Sequence, residues 1–340
     1  MKVRFEVKLF LPFLLPRDSK RWGSEPIEYG VGDLKIGIVV LPQEKAAEAP
    51  KPPRNLVLTH SEDTGEFPKS QITSTPHMSF YDVLLVAVTG DLHDVADIYK
   101  LEVRSRYINT AIKSARRFFH YCRALAKDTE IFFDTPEVKP DNLSIDTFPH
   151  CEGWYDSQSG APIGDNTVNK SYSEFVGARH GLSPVPWHRI RSAVRSEAEP
   201  PLHVLLILDA RKALARYQDR VAVVLCAVAV EVAAKTYLQG SKLDKDILER
   251  LEKGLEQDFC NKYFDLLLRL AGAPSLKEED ATGFRALERL FRVRNKVAHE
   301  GIPYFEKDGH GTPVPLDHFE VSDLVATAEK AVDWLEVVPR

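Results

Sequence analysis

The sequence predicts an α+β protein: a β-rich N-terminal domain with one long helix, followed by an all-α bundle. Three observations predict it. Residues 1–91 hold strand-like runs parted by Gly, Pro and Asp, residues 95–127 carry one unbroken helical stripe, and from about residue 197 helical segments follow one another on short connections.

Each element has its reason. Residues 3–11, 34–41, 55–59 and 80–88 are rich in β-branched and aromatic side chains, and Val3, Phe5, Val7 and Leu9 alternate as a strand requires. Residues 43–53, rich in Ala, Glu, Lys and Pro, read as a loop. In the long helix Ile108, Ile112, Ala115, Phe119 and Cys122 fall on one side. Residues 128–195 offer only short apolar pieces among Pro, Asp, Ser and Gly, so no element is assigned there. The boundary is placed between residues 195 and 196. Beyond it, segments 202–217 and 220–238 are parted only by Gln218 and Asp219, with Asp219 placed to cap the second, which predicts an antiparallel pair. Helices are then expected at about 244–258, 259–271, 278–299 and 321–338, which completes a helical bundle. No internal repeat is visible.

Composition narrows the classes of function. A chain of 340 residues with 44% hydrophobic content supports two cores, and a net charge of −5 leaves nucleic-acid binding to local patches rather than bulk charge. Cys122, Cys151, Cys226 and Cys260 lack CxxC spacing, which argues against a structural zinc site or disulfide framework and fits a reduced cytoplasm. Lys2 and Arg4 precede apolar residues 9–15 as in a signal peptide, but Glu6, Lys8 and Pro12 interrupt the run, so a strand is the better reading. The longest apolar run, residues 221–230, is shorter than a bilayer span, so no membrane partner is expected. No Gly-rich phosphate loop, nucleophile elbow or metal-ligand spacing is found, and no cofactor or metal is expected.

The most informative stretch is Arg294-Asn295-Lys296-Val297-Ala298-His299, just before Gly301. At 100° per residue Leu287, Leu290, Phe291, Arg294 and Ala298 share one side, which sets a permanently charged guanidinium within an apolar stripe. It needs a desolvated partner, a packed interface or an anionic ligand. Arg285, Arg289, Arg292 and Lys296 form a basic stripe on the opposite side. Asn295 and His299 lie one turn apart. Gly301 and Pro303 stop the helix, leaving His299 among its last carbonyls. Such a set suits a phosphodiester: His to move a proton near neutral pH, Arg to hold phosphate oxygens, Asn to orient either. The string alone says little, since 23 arginines and 11 histidines produce Arg-x4-His roughly once by chance, and residues 54–60 nearly imitate it on a strand-like segment. Glu231 is the one charged residue between Val221 and Ala234, and it is expected to meet Arg294 or Asn295.

Each feature also has a structural reading. Glu231 and Arg294 suit a register-fixing ion pair, His299 a helix-terminal residue, and the basic stripe a solvated face. The cluster of His120, Tyr121 and Cys122 beside Arg116 and Arg117 reads as packing, and Trp154, Tyr155 and Trp187 as core or domain-interface residues.

A helical bundle with a long apolar helix carrying one Glu, and a later helix ending Arg294-Asn-Lys-Val-Ala-His299-Glu-Gly, resembles the HEPN superfamily (higher eukaryotes and prokaryotes nucleotide-binding), and looks most like its ApeA-type members. The resemblance covers about residues 197–338. It implies a metal-independent endoribonuclease, a prokaryotic defence or toxin effector, in which two bundles dimerise around one cleft and the RNA 2′-OH attacks its neighbouring phosphate to leave a cyclic phosphate. Arg294, Asn295, His299 and Glu231 occupy the motif positions, and Lys296, Arg292 and Arg289 are the expected substrate contacts. The N-terminal domain would sense a trigger. Because an ideal helix sets Arg294 and His299 about 140° apart, they converge only if the helix end unwinds or two subunits share the site. The alternative is a non-catalytic dimeric module that binds RNA, a nucleotide or a protein.

Overall fold

The computed structural model describes residues 1–11, 15, 22–23, 25–41, 82–127, 150–163, 167–169, 184–254, 258–301, 303–305 and 314–339. The protein is α+β and divides into two compact units, Met1–Glu199 and Pro200–Arg340.

In the first unit β1 (Lys2–Leu11), β2 (Ile27–Val31), β3 (Leu34–Leu41), β4 (Asp82–Asp91), β5 (His150–Asp156) and β6 (Thr167–Asn169) form an antiparallel sheet of order β2-β3-β4-β1-β5-β6. Phe5 pairs with Val88, Val7 with Val86 and Leu9 with Leu84, so the alternation along β1 and β4 puts one apolar set on a single face. That face is covered by α1 (Leu101–Ala126), which buries Ile108, Ile112, Ala115, Phe119 and Cys122 as its stripe requires. Tyr107 of α1 meets Phe5 edge-on, with ring centres 6.4 Å apart, and tilts against Trp154 at 4.8 Å. The approach is close enough to demand glycine at position 90, where a Cβ would lie 2.3 Å from the Tyr107 hydroxyl.

A 3₁₀ turn (Val95–Tyr99) leads into α1, and α2 (Trp187–Arg195) buries Trp187, Ile190 and Val194. Trp187 packs tilted against Trp22 with ring centres 4.6 Å apart, and Trp154 and Trp187 are core residues of this unit. β2, β5, β6 and α2 carried no assignment from sequence. Their apolar positions are few and broken by Gly30, Gly153 and polar residues; β5 depends on pairing with the distant β1, whereas β2 joins β3 through the two-residue turn at Gly32 and Asp33. The expected strand at 55–59 and loop at 43–53 lie outside the described residues.

In the second unit α3 (Leu202–Ala215), α4 (Asp219–Gln239), α9 (Ala281–Glu300) and α10 (His318–Val337) form the bundle core, with α4 packed on the other three. Ala222, Ala227, Ala229, Ala233 and Ala234 of α4 are buried, and their small side chains let neighbouring helices approach closely. α4, with a mean hydropathy of 1.9, is by length and composition long and apolar enough to cross a membrane, as a buried core helix also is. Its 21 residues extend well beyond the apolar run of 221–230.

Between these helices lie α5 (Lys245–Gly254), α6 (Phe259–Asn261), a π-helical turn (Lys262–Leu266), α7 (Leu267–Leu270) and α8 (Leu276–Glu279). Two expected helices are therefore broken. The 259–271 segment widens into the π turn, and the 278–299 segment restarts where the Asp280 carboxylate accepts from the Gly283 amide at 2.8 Å. α10 starts three residues before its expected start because Asp317 and Glu320 form a capping box. A short hairpin, β7 (Tyr304–Phe305) with β8 (Val314–Pro315), precedes it.

Candidate functional site

α4 and α9 run antiparallel: Glu231 pairs with Arg294 near their middles, while Arg220 at the start of α4 lies beside Gly301 at the end of α9. The Glu231 Oε1 to Arg294 Nη2 distance is 3.3 Å, and Arg294 Nη1 donates to Asn295 Oδ1 at 3.2 Å. The expected meeting of Glu231 with Arg294 is thus present, with Asn295 as its third member. The burial of Arg294 differs from expectation. Its side chain is 32% exposed, that of Glu231 25%, and Ala298 is on the surface. The buried positions of α9 drift from Phe284, Leu287 and Phe291 towards Val293 and Val297, because the covered face of a helix turns as it crosses its neighbours. Arg294 stands where that cover runs out.

A cleft of about 320 Å³ opens at this place, lined by Glu231, Asp258, Glu288, Arg292, Arg294 and Asn295 with Phe259, Cys260 and Phe291. One wall is aromatic, with Phe259 stacked between Phe291 at 4.4 Å and Tyr263 at 4.5 Å. Asn261 Nδ2 donates to Asp258 Oδ2 at 2.6 Å and reaches Glu288 Oε1 at 3.5 Å. Burial works to raise the Asp258 carboxyl, but hydrogen bonds from Asn261 and Cys260 and the charge of Arg292 hold it below the usual carboxylate range. Burial pushes the Cys260 thiol far up, which makes it a poor nucleophile. Three carboxylates thus face two guanidinium groups. Anionic groups fit only the Arg292–Arg294–Asn295 edge, while the carboxylates favour hydroxyl or amine donors.

The remaining predicted residues are placed elsewhere. α9 stays helical through Glu300, capped by Gly301 at φ +69°, so its end does not unwind. His299 is exposed on this regular helix, about 140° and ~7.5 Å along the axis from Arg294, and does not line the cleft. Asn295 accepts from Arg294 through Oδ1, which ties its amide to the guanidinium. Of the expected substrate contacts only Arg292 reaches the cleft. Arg289 donates to Glu320 at 2.8 Å and Lys296 to Glu300 at 3.3 Å, because both lie on the solvated side of α9. His120, Tyr121 and Cys122 follow the packing reading: His120 Nδ1 lies 3.4 Å from Glu199, the Tyr121 hydroxyl donates to the Ala198 carbonyl, and Cys122 is buried. Among the described residues no cluster of three His, Cys, Asp or Glu is placed to hold a metal ion.

Asp258, Glu288 and Phe259 were missed from sequence. Their signals were present but generic: Asp258-x-x-Asn261 is a helix-capping pattern, and Glu288 precedes Arg292 by one turn. In comparisons with known proteins the chain matches no family model, no curated protein and no solved structure.

Proposed function

We propose that the protein is a metal-independent endoribonuclease of HEPN type whose active site is shared between two copies of the chain. The observation that carries the reading is the Glu231–Arg294–Asn295 chain at the mouth of a cleft, with His299 turned away on the same unbroken helix. Arg294 is held from one side by Glu231 and from the other by Asn295, and this aims its remaining donors at a phosphoryl oxygen. The 2′-OH of the RNA attacks phosphorus, its proton passes to a base, and the 5′-oxygen leaves as it takes a proton. His299 of each copy supplies one of these proton transfers.

The outer side of α4 supports a second copy. Val221 is 47% exposed, and Val224, Leu225, Val228 and Val232, on the same side of α4 as Glu231, keep part of their surface uncovered. The reading places the protein in the cytoplasm as a homodimer with no membrane partner and no cofactor, as a defence or toxin effector whose first unit responds to a trigger.

The test is cleavage of a structured RNA in EDTA. The expected products end in 2′,3′-cyclic phosphate, and Arg294→Ala or His299→Ala each lowers the rate by roughly 10²–10⁴-fold. Cleavage unchanged in either variant, or no cleavage at all, overturns the reading.

A specific observation favours the runner-up. Arg289 and Lys296 already pair with Glu320 and Glu300, and carboxylates outnumber guanidinium groups in the cleft, as in a module that binds a donor-rich ligand without turnover. RNA or nucleotide binding without product would establish it.

A further inference from the structure

We infer that the rings of Tyr217, His318 and Phe319 form a stacking platform for the bases of single-stranded RNA, at the end of the bundle that bears His299. The inference rests on the ribonuclease reading for the identity of its polymer, and on a separate set of residues for its geometry.

Tyr217 lies in the turn between α3 and α4 at φ +56°, in the left-handed region that Gly or Asn adopts with least strain. A tyrosine stands there instead, and it is 79% exposed. His318, the first residue of α10, lies tilted against it with ring centres 4.7 Å apart and planes at 33°, and Asp219 Oδ1 holds the imidazole through Nδ1 at 2.8 Å. Phe319 follows, also 79% exposed, with its ring 6.4 Å from His318 at 68°. Two outward rings are thus braced by a third that the hydrogen bond to Asp219 fixes. Arg220 adds a cation to the same corner. Its Nη1 lies 4.0 Å from where a Cβ on Gly301 would be, beside the last turn of α9 that carries His299.

Exposed aromatic faces next to a guanidinium suit an unpaired nucleic-acid strand, since every base offers a π face and the cation follows the backbone. A duplex hides those faces in its own stack. Protein interfaces use aromatic anchors and Arg too, but they are depleted of Asp, whereas Asp219 is bonded into the middle of this cluster.

The experiment titrates a fluorescein-labelled 2′-O-methyl oligoribonucleotide of mixed sequence, which cannot be cleaved, with the full chain and follows anisotropy. Tyr217→Asn, which removes the ring but tolerates the left-handed backbone, and Phe319→Ala are each expected to weaken binding about five- to one-hundredfold. Tyr217→Phe keeps it within about twofold, and the duplex form competes poorly. Unchanged affinity in both ring-removing variants overturns the platform, as does absence of binding by the native chain. So does a loss of affinity that sedimentation velocity traces to dissociated dimers, which would make the patch a protein interface. A parallel digest of the unblocked oligonucleotide separates the two claims. Cleavage with affinity unchanged in the variants removes the platform alone, and weakened binding without any cleavage by the native chain removes the ribonuclease alone.

Discussion

Arg294 is a half-exposed guanidinium paired to a half-exposed carboxylate, and this exposure decides what the pair contributes. Solvent screening at this depth limits the coupling to about 1 kcal/mol or less, against the several kcal/mol lost when one partner of a fully buried pair is removed. A double-mutant cycle of Glu231→Gln and Arg294→Met, read by urea unfolding, should therefore give a coupling below about 1 kcal/mol; a value near ~3 kcal/mol would show a buried, structural pair. Conversely, a large loss of activity with little loss of stability would mark the pair as functional. Gly301 makes the opposite kind of contribution. At φ +69° it ends α9 without strain, so Gly301→Ala should lower stability by about 1 kcal/mol, visible as a shifted urea midpoint with an unchanged slope.

At the scale of elements, helix ends and half-buried histidines set the response to mutation and pH. The capping box at the start of α10 predicts that Asp317→Ala costs about 1 kcal/mol, while Leu287→Ala in the buried middle of α9 costs ~2–5 kcal/mol by leaving a cavity. Burial lowers the pKa of His120 on α1 and of His203 on α3 from 6.5, with Glu199 and Glu336 pulling each partly back. As pH falls below about 6.5 the unfolded chain takes up these protons before the folded one does, so stability declines on acidification. His120→Asn and His203→Asn should each flatten the stability profile between about pH 7 and pH 5, in urea titrations. A profile as steep as that of the native chain would assign the acid response to other groups.

Among the described residues two cores share no residue, one built on the sheet and α1, the other on α4 and its neighbours. A separate core is the physical requirement for independent folding. Residues 200–340 expressed alone should therefore show cooperative thermal unfolding and a helical far-UV spectrum. A non-cooperative, aggregating fragment would show that the bundle depends on the first unit. The same fragment offers a direct measure of self-association through α4, without the first unit present.

The sequence by itself determined the class, the succession of most helices, the faces of β1 and α1, and the pairing of Glu231 with Arg294, because 2.0- and 3.6-residue periodicities and one lone Glu on an apolar helix are local signals. Residues 150–156 left no such signal, since their strand gains its stability from β1, far along the chain, while the strands at 27–31 and 167–169 are too short to display a period. Tertiary structure alone decided that Arg294 opens on a cleft. A wheel drawn over the whole of α9 averages its buried face, whereas the packed helix turns that face away before residue 294. It also decided the fate of His299. Only an α9 that stays helical to Glu300 shows that Arg294 and His299 of one chain point apart, and this is what makes the proposed site a property of two chains.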